Sequence, residues 1–251
     1  MTAFCPDNIF DRTERLVGRE GMKRLSNAKI IIFGIGGVGS WAAEALVRTG
    51  VGHLTLVDAD TVATTNINRQ LEATTLTVGE PKTEALARRL REINPAVSLA
   101  TEQKRFTAEN AAEFHIGEYD YVIDAIDSLA DKGALLLEAA AIKGPGIASS
   151  MGAALRIDPT RVHVAEFWKV TGCPLGAALR SRFRRNGTRP RRKIQCVYSD
   201  EQPLPNLGDL PDPDGSMGFG KAAVNGSLCH ITAIFGMTLA GLALRHLLKQ
   251  Q

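Results

Sequence analysis

Arg69 and Lys82 stand downstream of a short apolar strand that ends in Asp58, with Asn66 between that strand and Arg69. Two fixed cations and an amide so placed suit transfer to the α-phosphate of a nucleotide. That reaction builds charge on phosphoryl oxygens and on departing pyrophosphate. Hydride transfer makes no such demand. Asp127 follows another apolar strand, Tyr121 to Ile126. It could hold Mg²⁺ through oxygens shared with the phosphates, or cap the helix behind it, a task for which Ser128 competes. Asp124, inside that strand, would lend buried support. Asp58 suits hydrogen bonding to ribose hydroxyls.

The elements that must position these side chains are an α/β series. Ile30 to Phe33 is a buried strand leading into Gly34-Ile-Gly36-Gly37-Val-Gly39 and a helix over Gly39 to Thr49. Backbone N–H groups at such a loop approach phosphate at a helix N-terminus. On the glycines alone NAD and ATP fit equally; Asn66, Arg69 and Lys82 favour ATP. Leu54 to Val57, Val97 to Glu102, Tyr121 to Ile126 and Gly146 to Ser150 read as further strands. A helix opened by Pro81, a short one over Ala108 to Phe114 capped by Thr107, and one over Leu129 to Ile142 alternate with them. Apolar runs alternating with helices predict a doubly wound, mostly parallel sheet with ligands at the carboxyl ends of its strands.

One domain spanning 1–251 is expected: a helical lead-in over 1–28, an ATP-binding half over 29–150 and a C-terminal half over 151–251. In the last, Ala153 to Ile157 and Val162 to Phe167 read as antiparallel strands joined at Asp158-Pro159. A basic loop over 180–193, a flexible Pro/Asp/Gly-rich loop over 199–218 and an apolar helix over Ile231 to Leu244 follow.

Net charge is only +3, yet Arg180, Arg182, Arg184, Arg185, Arg189, Arg191, Arg192 and Lys193 lie in one stretch without an acid. A cationic patch is expected there, a solvated loop being the plainer alternative. Cys5, Cys173, Cys196 and Cys229 form no CxxC pair, so neither a disulfide framework nor a zinc site is expected. Cys196 could be a nucleophile, a sulfur acceptor or a core thiol, and the core reading comes first. No signal peptide is evident, and the apolar C-terminal run is short for a membrane span. A cytoplasmic protein is expected, with peripheral membrane contact left open. The histidines are scattered, and Trp41 and Trp168 read as packing residues.

Six motifs resemble the adenylation domain of the ubiquitin-activating E1-like (ThiF/MoeB/HesA) superfamily: Gly34 to Gly39, Val57-Asp-Ala-Asp60, Asn66-Ile-Asn-Arg69-Gln70, Val78-Gly-Glu-Pro-Lys82, Ile93-Asn-Pro95 and Ile123-Asp-Ala-Ile-Asp127. The resemblance implies ATP contacts at Gly34, Gly36, Gly37, Gly39, Asp58, Asp60, Asn66, Arg69, Lys82, Asp127 and Ser128, with Mg²⁺ on Asp127. It implies a homodimer in which Arg12 or Arg15 reaches the neighbour's site, although Gly18 stands where a second arginine is usual. The activators of sulfur-carrier proteins usually carry two CxxC pairs, which this chain lacks.

Gly37 to Leu46, Tyr121 to Ser128, Arg156 to Thr160, Cys196 to Ser199 and Gly218-Phe-Gly220 resemble instead the tRNA threonylcarbamoyladenosine dehydratases. That branch implies ATP-dependent cyclisation of threonylcarbamoyladenosine at tRNA position 37 through an acyl-adenylate. Arg69, Lys82, Asp127 and Arg15 would serve catalysis, and the basic stretch would bind tRNA. A cysteine desulfurase or sulfur acceptor is an admissible partner. Adenylation of a sulfur carrier's Gly-Gly terminus is the rival activity, followed by an NAD-dependent oxidoreductase and a non-catalytic nucleotide-binding protein.

Overall fold

The computed structural model describes residues 9–207 and 225–249. Five strands run parallel: β1 (Lys29–Phe33), β2 (His53–Val57), β4 (Tyr121–Asp124), β5 (Gly146–Ser150) and β7 (Gln195–Ser199). β3 (Ser98–Glu102) joins them in parallel at one edge, and β6 (Val162–Glu166) runs antiparallel to β7 at the other. The order across the sheet is β3-β2-β1-β4-β5-β7-β6. The helices are α1 (Asp11–Asn27), α2 (Gly39–Thr49), α3 (Lys82–Ile93), α4 (Leu129–Ala141), α5 (Pro174–Arg185) and α6 (Cys229–Lys249).

The apolar runs exist because both faces of the sheet are covered. Successive residues of β1 point to opposite sides. Ile30 and Ile32 join one core with α2, α3 and α6, while Ile31 and Phe33 join a second core with α4 and α5. Phe33 meets Phe106 and Phe114 edge-on at 5.1 and 5.2 Å between ring centres. Each large side chain fully buried in this way contributes ~1.5–3 kcal/mol. Gly236 allows α6 to pass close over the start of α2, since a Cβ there would meet the Val38 carbonyl at 2.4 Å.

Several expectations are corrected. Ala153 to Ile157 is not a strand; β6 pairs instead with β7, which the sequence did not reveal. The segment is pinned as a loop: Arg156 is buried and donates to the Gly172 carbonyl, and the Ile157 and Asp158 amides donate to the Glu201 carboxylate. The basic stretch is not one loop, because its first half is α5. Leu179 and Phe183 on that helix bury against Gly133 of α4, so four arginines ride on an amphipathic element. Thr107 caps no helix; its amide donates to Asn110, and only a 3-10 turn over Ala111–Phe114 follows. Helix α1 is interrupted at Gly18, which takes φ 71°. The apolar helix runs longer than expected, over Cys229–Lys249, and is long and apolar enough to cross a membrane. Its Ile231, Phe235, Leu239, Ala243 and Leu247 nonetheless pack into the first core. Ser199 ends β7 rather than opening a loop; most of the 199–218 loop, and Gly218-Phe-Gly220, lie outside the described residues.

Candidate active site

The carboxyl ends of β2, β1 and β4 are neighbours, so the glycine loop, Asp58 and Asp127 open onto one cleft. Gly34 takes φ 81°, a conformation that glycine adopts readily. A Cβ on Gly39 would lie 1.9 Å from the Gly34 carbonyl, so the loop closes only without one. No side chain caps the N-terminus of α2, which leaves its first N–H groups for an anion. Ser40 donates to the Gly36 carbonyl at 2.7 Å and accepts from the Leu71 amide at 3.2 Å, tying the loop to the segment that carries Arg69. Thr232 of α6 braces the loop from behind, 3.3 Å from where a Gly37 Cβ would be.

Asp58 spends one carboxylate oxygen on the Ile35 amide and the other on the Asp60 amide, both at 2.9 Å. Burial raises its pKa, and the Lys82 charge works against that rise. Asn66 is buried and accepts from the Ala63 amide at 3.0 Å, shaping the turn before Arg69. Trp41 donates to the Arg69 carbonyl at 3.1 Å. The Arg69 guanidinium donates to the Thr65 carbonyl and to Asn68. Burial lowers its pKa, while the nearby Asp127 and Glu72 charges oppose that. Lys82 opens α3, is 5% exposed, and pairs with Asp60 at 2.9 Å. Desolvation works against its charge, but Asp58, Asp60 and Glu72 outweigh it and the pKa rises. The site therefore holds a permanent buried ammonium.

Asp127 is exposed just beyond β4, and Ser128 is the N-cap of α4 without a side-chain hydrogen bond. Asp124 is fully buried and accepts from Lys132 at 2.5 Å and Ser149 at 2.6 Å, joining β4, α4 and β5 under the cleft. Sequence reasoning missed Lys132 and Ser149; a lysine inside the apolar α4 was the available signal. It also missed Glu72, which is 2% exposed with both carboxylate oxygens unpartnered. The Ser40 hydroxyl, a possible donor to it, is committed to the Gly36 carbonyl. Burial, with Asp58 adding to it, pushes the Glu72 pKa up to about 8.

Buried polar atoms of Gln70 and Thr83 are likewise unpartnered, and the Gln70 amide lies 3.4 Å from where a Gly36 Cβ would be. Such a cradle fits a nucleotide that brings its own donors and acceptors. Among the described residues no group of three acids, histidines or cysteines could hold a metal alone. A carboxylate on the mouth fits Mg²⁺, which takes one or two protein carboxylates and completes its shell with phosphate and water.

The remaining predicted residues lie elsewhere. Arg15 is exposed on α1 and pairs with Asp11 at 2.9 Å. Arg180 donates to the Phe167 carbonyl, and Arg192 donates to the Pro145 and Ala139 carbonyls, so both serve the fold. Arg184 and Arg189 sit over the Trp168 ring at 5.7 and 5.2 Å. Arg185, Arg191 and Lys193 are exposed, and Arg182 is half-buried. Residues 186–193 precede β7, and Pro145 precedes β5, so this basic segment occupies the sheet edge opposite the cleft. Cys196 is fully buried on β7, and burial raises its pKa far above the usual thiol range, which suppresses the nucleophilic thiolate.

The ThiF family model matches residues 10–251. The tRNA threonylcarbamoyladenosine dehydratase of Bacillus subtilis is 41% identical over 195 residues, covering 78% of this chain and 76% of that protein. The ATP complex of the E. coli tRNA N6-threonylcarbamoyladenosine dehydratase superposes with a TM-score of 0.83 at 37% identity, covering 95% of this chain and 93% of that one. A sulfur carrier protein adenylyltransferase from Thermus thermophilus is also 41% identical, but over only 45% of this chain. The chain belongs to the ThiF family, among its tRNA threonylcarbamoyladenosine dehydratases.

Proposed function

We propose that this protein cyclises N6-threonylcarbamoyladenosine at tRNA position 37 at the expense of ATP. The likeness to the dehydratases runs through both halves of the chain, whereas the likeness to the sulfur carrier adenylyltransferase covers less than half, and this difference carries the reading. The free carboxylate of the modification attacks the α-phosphorus of ATP. The bond to the β-phosphate oxygen breaks and pyrophosphate leaves, giving an acyl-adenylate. The ureido group of the same modification then attacks the activated carbonyl and loses its proton, AMP departs with the former carboxylate oxygen, and the ring closes. The attacking group is already tethered, so the second step needs no protein nucleophile.

Within this reading the loop of Gly34, Gly36, Gly37 and Gly39 receives phosphates, and Asp58, with Asp60 nearby, receives the ribose. Arg69 and Lys82 screen the approach of one anion to another and stabilise charge in transfer. Asn66 shapes the turn that presents Arg69. Asp127, beside Ser128, would hold Mg²⁺, whose charge helps neutralise the developing phosphoryl oxygens. Arg12 or Arg15 acts across a homodimer, the basic stretch adds affinity for the tRNA backbone, and a sulfur-transfer protein is a further admissible partner. The protein works in the cytoplasm.

Nucleoside mass spectrometry on threonylcarbamoylated tRNA incubated with the protein, ATP and Mg²⁺ tests the proposal. The expected product has lost one water, with stoichiometric AMP and pyrophosphate. If AMP forms only when a Gly-Gly-terminated sulfur carrier is supplied, the adenylyltransferase reading replaces this one.

A further inference from the structure

We propose that the exposed cations of α5 and of residues 186–193 grip the phosphate backbone of a base-paired RNA stem, at a place separated from the chemistry by the depth of the sheet. This rests on the tRNA reading above and says which part of the RNA the basic face takes.

The separation follows from strand direction. The cleft lies beyond Phe33, Val57 and Asp124, the last residues of their strands. β7 runs parallel to β5, with Ala148 opposite Gln195 and Ser150 opposite Val197, so residues before Gln195 lie toward the amino ends. β6 is antiparallel, and its last residue, Glu166, is opposite Gln195, which puts Trp168 at the same end. Helix α4 begins beside Asp127 and descends, and Arg192 holds the Ala139 carbonyl near its far terminus together with Pro145 ahead of β5. Helix α5 descends likewise. Its first turn lies beside Met151, just past β5, where a Gly176 Cβ would be 3.4 Å from the Met151 sulfur. Its last residue, Arg185, is therefore at the far edge. Five residues at ~3.3 Å each, plus the flanking turns, put the basic end on the order of 20 Å from the cleft. At ~3.4 Å per base-pair step that is about six steps along a duplex.

The chemistry of the patch selects phosphate over an unstacked base. Trp168 is the one aromatic ring bordering its cavity of about 390 Å³, and Arg184 and Arg189 already stand over that ring. A guanidinium stacked in this way keeps its N–H edge directed outward, where it suits phosphate oxygens. Glu166, the acid on the cavity wall, is committed to the Trp168 amide at 2.9 Å. Arg185, Arg191 and Lys193 form no ion pair among the described residues and add exposed charge on the same edge. Cations far outnumber amides here, Asn186 being the one amide side chain of residues 186–193, and such a run of cations is the footprint of backbone contact.

The test uses the whole protein and a variant carrying Arg185→Ser, Arg191→Ser and Lys193→Ser, three side chains outside both the fold's contacts and the cleft. Each enzyme is assayed on full-length threonylcarbamoylated tRNA and on a single-stranded oligonucleotide limited to the loop that carries the modification. On tRNA the variant is expected to raise KM about tenfold at physiological salt and to leave kcat within about twofold. Its dependence of log kcat/KM on log salt should become shallower by about two to three. On the loop oligonucleotide the two enzymes are expected to be equal. A fall in kcat, an equal KM change on the oligonucleotide, or an unchanged KM on tRNA each overturns the grip. If wild-type protein cyclises both substrates with the same salt slope, the grip fails and the proposed reaction stands. If it cyclises neither, the reaction itself fails and takes the grip with it.

Discussion

Lys82 is held as an ammonium inside the protein by carboxylates of which only Asp60 touches it. Asp60 is exposed, so a polyanion entering the cleft can take over the lysine without stranding a buried acid. Replacing Lys82 or Arg69 by Ala is expected to lower the rate of AMP formation by about 10²–10³, the scale of losing one preorganised charge contact. Single-turnover assays with a circular-dichroism check on folding measure this. Glu72 makes a pH prediction. Its folded pKa of about 8 lies above the ordinary glutamate value of 4.5, so the folded state binds the extra proton. Stability credited to that proton is complete below about 4.5 and declines as pH rises toward 8. Glu72→Gln should therefore match wild type in Tm near pH 5 and exceed it near pH 8, by a few kcal/mol at most. Identical pH dependence in the two proteins would count against it. Asp58 and Lys82 were legible because local spacing puts them at a strand end and a helix start, and Arg69 because it follows Asn66 in the turn between them. Glu72 and Ser149 were not, since their burial is decided by segments distant in sequence.

The elements divide along the same line. Parallel strands announce themselves as apolar runs, and β1 and α2 lie where the sequence puts them. Helix α5 was masked by its own arginines, which are good helix formers on an exposed face and read as a charged loop when counted by charge alone. β7 was hidden behind it, and the misplaced strand over Ala153 to Ile157 was the error that followed. At this scale the buried link between β4, β5 and α4 is the sharpest test. Lys132→Ala leaves the Asp124 carboxylate buried without its cation and is expected to cost about 3–5 kcal/mol. Lys132→Met combined with Asp124→Asn should recover part of that loss, as read by urea denaturation of wild type and the two variants.

For the molecule as a whole, the sheet is a partition, with nucleotide chemistry along one rim and basic side chains along the other. The fold class was legible because alternation of apolar strands and helices runs through residues 29–150, the greater part of the sheet. The division between the rims was not, because it depends on β7 reversing the meaning of the residues before it. The other long-range dependence is helix α6. Ending the chain before Cys229 removes Ile231, Phe235, Leu239, Ala243 and Leu247 from the core, at ~1.5–3 kcal/mol each, against a typical domain stability of about 5–15 kcal/mol. Such a truncation should show no cooperative thermal transition by calorimetry.

The brace between Thr232 and Gly37 also has a temporal side. The phosphate cradle is encoded at residues 34–39 but leans on a helix, Cys229–Lys249, that the ribosome delivers long after it. A half-made chain would expose its glycine loop unsupported, so competence for ATP should arrive abruptly, only when translation has passed the start of α6.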